Sequence, residues 1–342
     1  MRRIASTLIL VVLTATLFVL AINIRPVEAY VTITIKADGT VDPSWAPIQR
    51  DGHKYTLTDN IYGKIVVNRS GIIIDGAGYT VQGEGPYTDF GFDTNFMSNL
   101  TIRNTNIKDV GVGFFLNSTS NSFIHENNIT NVGMGFWLGW ASNNVISENY
   151  YMASSGGWGF DVRSSWNNIF RRNNIANSSI AMIFFDGCWN NTVCENTVEN
   201  IWFISLEITN SSSNKIFHNN FLDNTQIRIE GNSVNVWDNG CEGNYWSNYN
   251  GTDFDGDGIG DEYLPWEGVD NYPLMNLYWN PADTNHDLKV DIFDIVLCAG
   301  AYGSKPPDSK WCCRVDIAEP YGIIDIYDIV MICTSYGEEY NP

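Results

Sequence analysis

The chain has 342 residues, of which 44% are apolar and 13% aromatic, so a large packed core is expected and global disorder is excluded. The formal net charge of −20 argues against nucleic acid as a partner, because phosphates would be repelled, and it suits metal cations. The length predicts one large domain and at least one small module.

The first 29 residues predict an exported chain. Arg2 and Arg3 precede a long apolar run, and the sequence VEA at 27–29 is typical of a signal-peptidase site. The alternative is an uncleaved membrane anchor, because the apolar run from Ile4 to Ile24 is long enough to span a bilayer. Either interpretation predicts a secreted, extracellular or cell-surface protein, with a membrane contact only if the segment stays uncleaved.

A repeat of 22 to 24 residues dominates the middle of the chain. Motifs related to SNNVISENYY at 142–151 begin at Asn99, Asn121, Asn143, Asn167, Asn190 and Asn214. Each unit holds short alternating apolar runs, and units this short cannot contain a strand and a helix. The repeat predicts stacked coils of a parallel β-helix over residues 70–250, with residues 30–69 as an N-terminal cap.

One asparagine position is shared by the units. The residues six places after the motif starts are Thr105, Asn127, Asn149, Asn173, Asn196 and Asn220. At a bend between strands, an inward amide bonds to backbone groups of its own coil and to the asparagines above and below. We therefore expect a structural ladder at this position, and we expect function on the irregular outward columns.

A second alternating run in each coil predicts which side chains face solvent. The residues between its inward positions are Phe115, Trp137, Asp161, Phe184 and Glu207, and the nearby bends carry Trp140, Trp158, Trp166 and Trp189. Exposed flat rings suit sugars, so the candidate carbohydrate-binding residues are Phe115, Trp137, Trp140 and Phe184. The alternative is that these rings only cover coil corners or pack under loops.

Charged residues on neighbouring coils offer a weaker, catalytic interpretation. A glycosidase needs two carboxylates roughly 5 to 10 Å apart, and coils stack about 4.8 Å apart, so Asp161, Asp186 and Glu207 are candidates. A lyase would need a basic proton acceptor, for which Arg163 is a candidate. Any solenoid with charged outer columns produces such pairs, so the sequence favours a non-enzymatic protein without deciding the question.

The run DFDGDGIGD predicts a metal site. It carries Asp253, Asp255, Asp257 and Asp261 in a D-x-D-x-D-G-x-x-D pattern. Alternating carboxylates in a tight turn point at one centre, and hard oxygen ligands at this density favour Ca²⁺. We therefore predict a calcium-binding tail over residues 251–280. The alternative is an acidic, solvated turn.

A change of composition after Asn280 predicts a separate module over residues 281–342. Its first loop has EF-hand spacing, with oxygen ligands at Asp283, Asn285, Asp287, Asp291 and Asp294. The segment VDIFDIVLCAGAYG is followed by a near copy, IDIYDIVMICTSYG, in which Asp325 and Asp328 occupy the matching places. The second loop has one residue too many, and only Asp316 and Glu319 are available at its start.

The chain has seven cysteines, an odd number that leaves at least one unpaired. Four of them, Cys298, Cys312, Cys313 and Cys333, lie in the last 45 residues and could staple a small module, since exported chains permit disulfides, but the sequence leaves the pairing open. The sequence shows neither a zinc pattern nor a cysteine-nucleophile signature.

The coils, and the tail GNYWSNYNGTDFDGDGIGDEYLPWEGVDNYPLM from Gly243 to Met275, resemble NosD-type right-handed parallel β-helix proteins, part of a wider group of carbohydrate-binding proteins and sugar hydrolases. The segment from Ile48 is similar to exported archaeal members. The resemblance implies an all-β, right-handed single-stranded parallel β-helix. NosD proper is linked to copper-centre maturation, but no methionine or histidine cluster stands in this sequence, so copper is not expected.

The two loop-and-helix copies resemble a type I dockerin, a small α-helical, calcium-dependent module that docks onto cohesin domains. The resemblance implies that Ile292 and Phe293, with Ile326 and Tyr327, select a cohesin-like partner. The alternative is that these apolar pairs belong to a core or pack on the β-helix as an intramolecular cap.

Three functions stay open at this point. The favoured one is a secreted, calcium-stabilised β-helix that binds an extracellular glycan and is tethered through a dockerin-like module. The second is a polysaccharide hydrolase or lyase, and the third is a structural surface protein without a small ligand.

Overall fold

The computed structural model describes residues 29–223, 226–318 and 321–340, without the side chains of residues 154 and 155. All but the last residue of the predicted signal segment, and Glu319 of the second loop, lie outside the described residues. Within the described ranges, no helix combines the length and the apolar character needed to cross a bilayer.

The middle of the chain is a parallel β-solenoid whose coils have three faces. Face I consists of eight parallel strands: β4 (Lys54–Leu57), β6 (Ile73–Asp75), β9 (Thr101–Arg103), β12 (Phe123–His125), β14 (Val145–Ser147), β16 (Ile169–Arg171), β19 (Thr192–Cys194) and β22 (Lys215–Phe217). Face II consists of β7 (Thr80–Gln82), β10 (Asn106–Lys108), the first halves of β13 (Asn128–Gly139) and β15 (Tyr150–Arg163), β17 (Asn174–Ala176), β20 (Thr197–Glu199), β23 (Asn220–Phe221) and β25 (Tyr245–Trp246).

Face III lies beside face II in the same sheet. It consists of β5 (Ile61–Val67), β8 (Phe90–Asp93), β11 (Val112–Asn117), the second halves of β13 and β15, β18 (Ile180–Phe185), β21 (Ile204–Thr209) and β24 (Ile227–Glu230). The predicted parallel β-helix of stacked coils is therefore confirmed.

The N-terminal strands cover the first coil. Strand β1 (Val31–Ile35) pairs with β5 in parallel and with β2 (Val41–Asp42) in antiparallel, and β3 (Ile48–Asp51) pairs with β4 in antiparallel. After the solenoid come helix α1 (Ile292–Ala301), a 3₁₀ turn (Cys313–Val315) and helix α2 (Ile326–Thr334). We call residues 281–340 the C-terminal segment.

The core is a column of stacked side chains from successive coils. The rings of Phe92, Phe114, Phe136 and Phe160 stack in that order, with centroids 5.3, 5.0 and 4.6 Å apart. All four are at most 1% exposed. Because parallel strands stay in register, one inward position per coil produces a continuous hydrophobic column.

Two asparagine ladders run along the corners of the solenoid. At the corner between faces I and II, each side-chain amide donates to the amide oxygen of the next coil at 2.9–3.0 Å, and the residues are Asn127, Asn149, Asn173, Asn196, Asn219 and Asn244. The predicted ladder is thus present, but its member in the last predicted unit is Asn219. Our assignment of Asn220 was wrong, because that motif begins one residue earlier, at Ser213.

The second ladder was not predicted. It lies at the corner between faces III and I, where amides bond at 2.9–3.0 Å in the order Asn144, Asn168, Asn191, Asn214, Asn235. The paired asparagines of the motifs now have separate roles. The first of each pair, such as Asn143 or Asn167, has φ near +55°, a left-handed conformation that asparagine tolerates, and the second turns inward.

The first ladder ends on a carboxylate. Asp270, which is fully buried, accepts hydrogen bonds from the Asn244 backbone N–H at 2.8 Å and from the Trp246 indole N–H at 2.8 Å. Burial raises the pKa of Asp270, and these hydrogen bonds oppose the increase. The tail motif therefore closes the amide ladder at the C-terminal end of the solenoid.

Candidate functional site

The outward surface of face III carries aromatic rings on consecutive coils. Phe90, Phe115 and Trp137 form a stack with ring centroids 4.7 and 4.5 Å apart. Phe115 and Trp137 are half-buried, and the indole lies over Gly139, where an added Cβ would come within 2.3 Å of the ring. Glycine at that position therefore lets the Trp137 ring lie close to the sheet.

The next coils place charged pairs among these rings. Asp161 is in register with Trp137, but it is only 1% exposed, because Arg163 covers it with two hydrogen bonds of 2.8 and 2.9 Å. The prediction that Asp161 faces solvent was therefore wrong. Glu207 lies two coils further along the same column and faces Arg228 at 3.7 Å.

The prediction that Phe184 faces solvent was also wrong. Phe184 is 1% exposed and stands in register with the inward residue Val162, whereas Ile183 occupies the outward column. The strand IAMIFF is apolar throughout, so alternation does not fix which residues turn inward, and a shift of one residue exchanges the two faces. Ile183 instead joins an outward apolar cluster with Ile180 and Ile204, flanked by Trp158 and Phe185.

Further aromatic side chains stand at the corner between faces III and I. Trp140 adopts φ +50° at this corner and is 61% exposed. Trp166 and Trp189 stack in parallel with centroids 6.1 Å apart. Asp186, an exposed residue of the same corner, also has positive φ. Of the predicted sugar-binding residues, Phe115, Trp137 and Trp140 are therefore accessible and Phe184 is not.

The acidic tail loop gathers three of its four predicted ligands. The carboxylate oxygens of Asp253, Asp255 and Asp261 lie within 4.8 Å of one another. Asp253 is oriented by the backbone N–H groups of Gly256 and Gly258, at 2.7 and 2.9 Å. Neighbouring carboxylates, led by Asp257, raise the pKa of Asp255, as expected for like charges held together.

The two loops of the C-terminal segment share one hydrogen-bonding pattern. In the first loop, Asp294 accepts from the backbone N–H groups of Thr284 and Asp291, at 2.7 and 2.8 Å. In the second, Asp328 accepts from those of Ile317 and Asp325, both at 2.8 Å.

Other predicted ligands of the segment also accept from the backbone. Asp291 and Asp325 cap α1 and α2 through capping boxes. Asp283 accepts from the Leu288 N–H at 3.0 Å, Asp287 from the Lys289 N–H at 3.1 Å, and Asp316 from the Gly322 N–H at 2.6 Å. Asn285 donates its side-chain amide to Asp287 at 3.0 Å.

A buried polar network joins the solenoid to the C-terminal segment. Glu242, 2% exposed, accepts from the Nε2–H groups of His218 and His286, each at 2.8 Å. Arg314 stands 3.6 Å from the same carboxylate and pairs with Asp257 at 2.8 Å. His218, Glu242, His286 and Arg314 come from four distant stretches of sequence, and no local motif marked them as a group, so the sequence interpretation missed this network.

The structure decides a cysteine pairing that the sequence left open. Cys313 bonds to Cys241 of the solenoid, with Cα atoms 6.5 Å apart, rather than to another cysteine of the C-terminal segment. Cys298, Cys312 and Cys333 are free thiols in this structure. The disulfide therefore links the C-terminal segment to the last coil, because the chain folds Cys313 back against Cys241.

The four predicted partner-binding residues remain accessible although the segment is anchored. Ile292, Phe293, Ile326 and Tyr327 are each 51–62% exposed. Anchoring uses Cys313, Arg314 and His286, and these are not the residues of the exposed apolar pairs. Capping of the solenoid and an exposed apolar surface on α1 and α2 are thus compatible.

Comparison with known proteins gives a family match. The family described as "Periplasmic copper-binding protein (NosD)" matches residues 51–251. A curated relative from Stutzerimonas stutzeri, named "Probable ABC transporter binding protein NosD", is 35% identical over 96 residues, which are 25% of this chain and 22% of the relative. The similarity therefore covers about a fifth of that relative's length.

Among the described residues, the close group of three or more histidine, cysteine or acidic side chains consists of carboxylates and not of the ligands that copper prefers. Copper prefers imidazole, thiolate and thioether ligands. Here both ring Nε2 atoms of His218 and His286 are bonded to Glu242, and Cys188 and Cys194 are buried in the solenoid. The group of three close side chains is all carboxylate, which suits a hard cation. The family match covers more than half of the 342 residues, and with the parallel β-solenoid it shows that the chain belongs to the NosD family.

Proposed function

We propose that the protein is exported, binds an extracellular polysaccharide on the outward surface of face III, holds Ca²⁺ in its acidic loops, and docks a cohesin-like protein through α1 and α2. The observation that carries carbohydrate binding is the presence of stacked aromatic rings and of two arginine–carboxylate pairs on neighbouring coils of one face, with Ile183 between the two carboxylates. Rings pack on the C–H faces of sugars, and charged pairs bond to hydroxyl groups.

The dimensions of the surface favour a chain over a single sugar. Phe115, Trp137, Asp161 and Glu207 lie in one register column that crosses five coils. With strands about 4.8 Å apart, this column is roughly 19 Å long, enough for several linked sugar rings. The exposed Trp140 extends the surface round the corner.

Support for calcium comes from the ligand chemistry. Asp253, Asp255 and Asp261 supply only oxygen atoms, and backbone N–H groups hold Asp253 and Asp261 in place. The loop of Asp283 to Asp294 adds a second group of oxygen ligands at EF-hand spacing. Bound Ca²⁺ would offset the repulsion between these carboxylates and rigidify both loops beside the junction.

Support for docking comes from the apolar surface of the C-terminal segment. Besides the four predicted residues, Val296, Leu297, Val330 and Met331 of the same helices are 40–58% exposed. Two helices of similar sequence thus present the same kind of apolar row, and exposed patches of this kind mark protein-binding surfaces.

A glycan array with the exported chain tests the proposal. Trp137→Ala should weaken binding to the hits by about tenfold or more, because an aromatic stacking surface is lost. The matched control is Phe123→Ala, which removes a ring 39% exposed on the opposite face I. Equal loss in both variants, or no hits in the presence of calcium, would contradict carbohydrate binding on face III.

Hydrolysis or cleavage of the glycan is the second candidate. Asp161 and Glu207 are two coils apart, roughly 10 Å, which is near the upper limit for an inverting glycosidase. Arg163 engages both oxygens of Asp161, however, and this leaves that carboxylate poorly placed for proton transfer. Analysis of array hits for new reducing ends or unsaturated products separates binding from catalysis.

A further inference from the structure

A cleft lies where the chain that follows the solenoid, from residue 277 onward, packs beside face II. Its volume is about 380 Å³. The solenoid contributes Arg172, Asn174, Glu195 and Thr197. The chain that follows the solenoid contributes Trp279 and Tyr340. This cleft is on a different face from the aromatic surface of face III, and it exists only because the tail crosses the last coils.

Hydrogen bonds fix the wall of the cleft that is formed by the chain after the solenoid. Asn220 accepts from the Tyr278 backbone N–H at 2.8 Å and donates to the Tyr278 carbonyl at 2.7 Å, as a strand partner would. The indole N–H of Trp279 donates to Asp283 at 2.6 Å, which fixes the ring plane. The ring centroids of Trp279 and Tyr340 are 6.3 Å apart, and the ring planes are inclined by 57° to each other. The two rings therefore border the cleft on two sides.

The opposite wall is polar. Arg172 and Glu195, neighbours in the column of corner residues, are joined at 2.5 Å, and 44% of the Arg172 side chain remains exposed. Thr197, in register with Asn174 on the following coil, contributes a hydroxyl group. Donors and acceptors are therefore close together opposite the aromatic rings.

One polar atom of the cleft lacks a partner within the protein. The amide oxygen of Asn174 is buried and accepts no hydrogen bond from any described residue. In the same column, the amide oxygen of Asn220 accepts from the Tyr278 N–H. A buried acceptor without a donor costs stability, so a rotation of the half-buried Asn174 side chain that presents this oxygen to a ligand hydroxyl group in the cleft would be favoured.

We infer that this cleft binds one neutral sugar ring, with Trp279 and Tyr340 against its C–H face and Asn174, Arg172 and Glu195 on its hydroxyl groups. The volume suits one or two rings, and the pairing of aromatic walls with convergent polar groups is typical of small-molecule sites. The cleft favours neutral sugars over uronic acids, because Glu195 already pairs with Arg172 and would repel a second carboxylate.

This inference extends carbohydrate binding to a second site and does not require the site on face III. Isothermal titration of the exported chain, in a fixed concentration of calcium, with methyl glycosides of glucose, galactose, mannose and N-acetylglucosamine tests it. Glucuronic acid serves as the acidic comparison. We expect at least one neutral glycoside to bind and glucuronic acid to bind at least tenfold more weakly, because of the repulsion described above.

Variants separate the two sites. Asn174→Leu, which keeps the branched shape but removes the acceptor, and Tyr340→Ala should each weaken binding of the neutral glycoside by about tenfold. Asn128→Ala, in the same column two coils away, and Trp137→Ala on face III should leave its affinity unchanged. Circular dichroism and thermal unfolding of each variant exclude loss of folding.

The outcomes are distinguishable. The cleft is not a sugar site if no neutral glycoside binds, or if Asn174→Leu and Tyr340→Ala both leave the affinity unchanged. If glycan binding depends on Trp137 alone, only the proposed function on face III stands. If binding depends on Asn174 and Tyr340, the cleft is a sugar site. If Trp137→Ala also leaves the affinity for every glycan unchanged, the proposed site on face III is wrong.

Discussion

Glu242 and His286 are joined at 2.8 Å across the boundary between the solenoid and the C-terminal segment, and each is at most 3% exposed. Burial alone would raise the pKa of Glu242, but His286 and His218 outweigh it and hold the pKa well below its usual value. A carboxylate shared by two imidazoles and approached by Arg314 is a strong anchor only while all partners are present.

Glu242→Leu should therefore destabilise the junction by about 3 kcal/mol or more, because two buried imidazoles and a guanidinium lose their common acceptor. Limited proteolysis within residues 281–340 and thermal unfolding measure the effect. Glu339→Leu is the matched control, since it removes an exposed ion pair with Lys289 at 3.4 Å and leaves the buried network in place. Equal protease resistance in the wild type and Glu242→Leu would contradict an anchoring role.

Asn173→Ala should cost about 3 kcal/mol or more in unfolding free energy. The Asn173 amide oxygen accepts from both the backbone and side-chain N–H groups of Asn149, and its amide donates to Asn196 and to two carbonyls, so several buried groups lose partners. Asn167→Gly, at a solvent-facing corner with φ +55°, should change stability by less than about 1 kcal/mol. Urea denaturation of both variants gives the comparison.

Gly243→Ala should disturb the end of the ladder. An added Cβ would stand 1.9 Å from Asp270 Oδ1, and the buried carboxylate cannot move without breaking its bonds to Asn244 and Trp246. We expect a loss of at least about 2 kcal/mol. In contrast, Gly300→Ala in α1 meets no atom within 4 Å and should stabilise that helix by up to about 1 kcal/mol. Thermal unfolding that ranks the two variants in the reverse order would refute this account.

Asp89 should make the N-terminal cap sensitive to acid. Partial burial raises the pKa of this carboxyl, but hydrogen bonds from Lys64 at 2.9 Å and Tyr30 at 2.8 Å outweigh it and lower the pKa below its usual value. A lowered folded-state pKa gives stability that is present above the unfolded value, about 3.9, and is lost as pH falls through the folded value.

The measurement is the difference in unfolding free energy between the wild type and Asp89→Asn from pH 7 to pH 2.5. The difference should be largest above about pH 4 and should shrink below it. Asp59→Asn, an exposed substitution in the same region, should give only a small difference. A pH-independent difference for Asp89→Asn would show that its ionisation is not linked to folding.

Chelation of calcium should lower the unfolding temperature. A ligand at 100 times its Kd stabilises the folded state by about 2.7 kcal/mol, so EGTA should remove a comparable amount, and Asp253→Asn should remove part of it. Differential scanning calorimetry with calcium, magnesium and copper in turn identifies the cation. Stabilisation by copper but not by calcium would show that the family's described metal, and not the one proposed for this chain, binds here.

Much of the solenoid follows from the sequence because its physical cause is local and repeated. A unit of 22 to 24 residues with period-2 apolar runs has room only for short strands, and one inward position such as Phe136 must stack on Phe114 and Phe160. The inward amide of Asn149 follows from the same logic, since a bend leaves backbone groups that need partners.

Other features depended on tertiary structure. Whether Ile183 or Phe184 faces outward was not fixed by a strand that is apolar at every position, and the register with the neighbouring coil decided it. The burial of Asp161 required Arg163 to fold over it. The partners of Cys313 and Glu242 lie 72 and 44 residues away in sequence, and only the return of the tail to the last coil brings them together. Sequence by itself thus determined the repeating scaffold, because each coil depends on its own residues and its neighbours. Tertiary structure decided the junction and its cleft, since long-range contacts leave no local pattern.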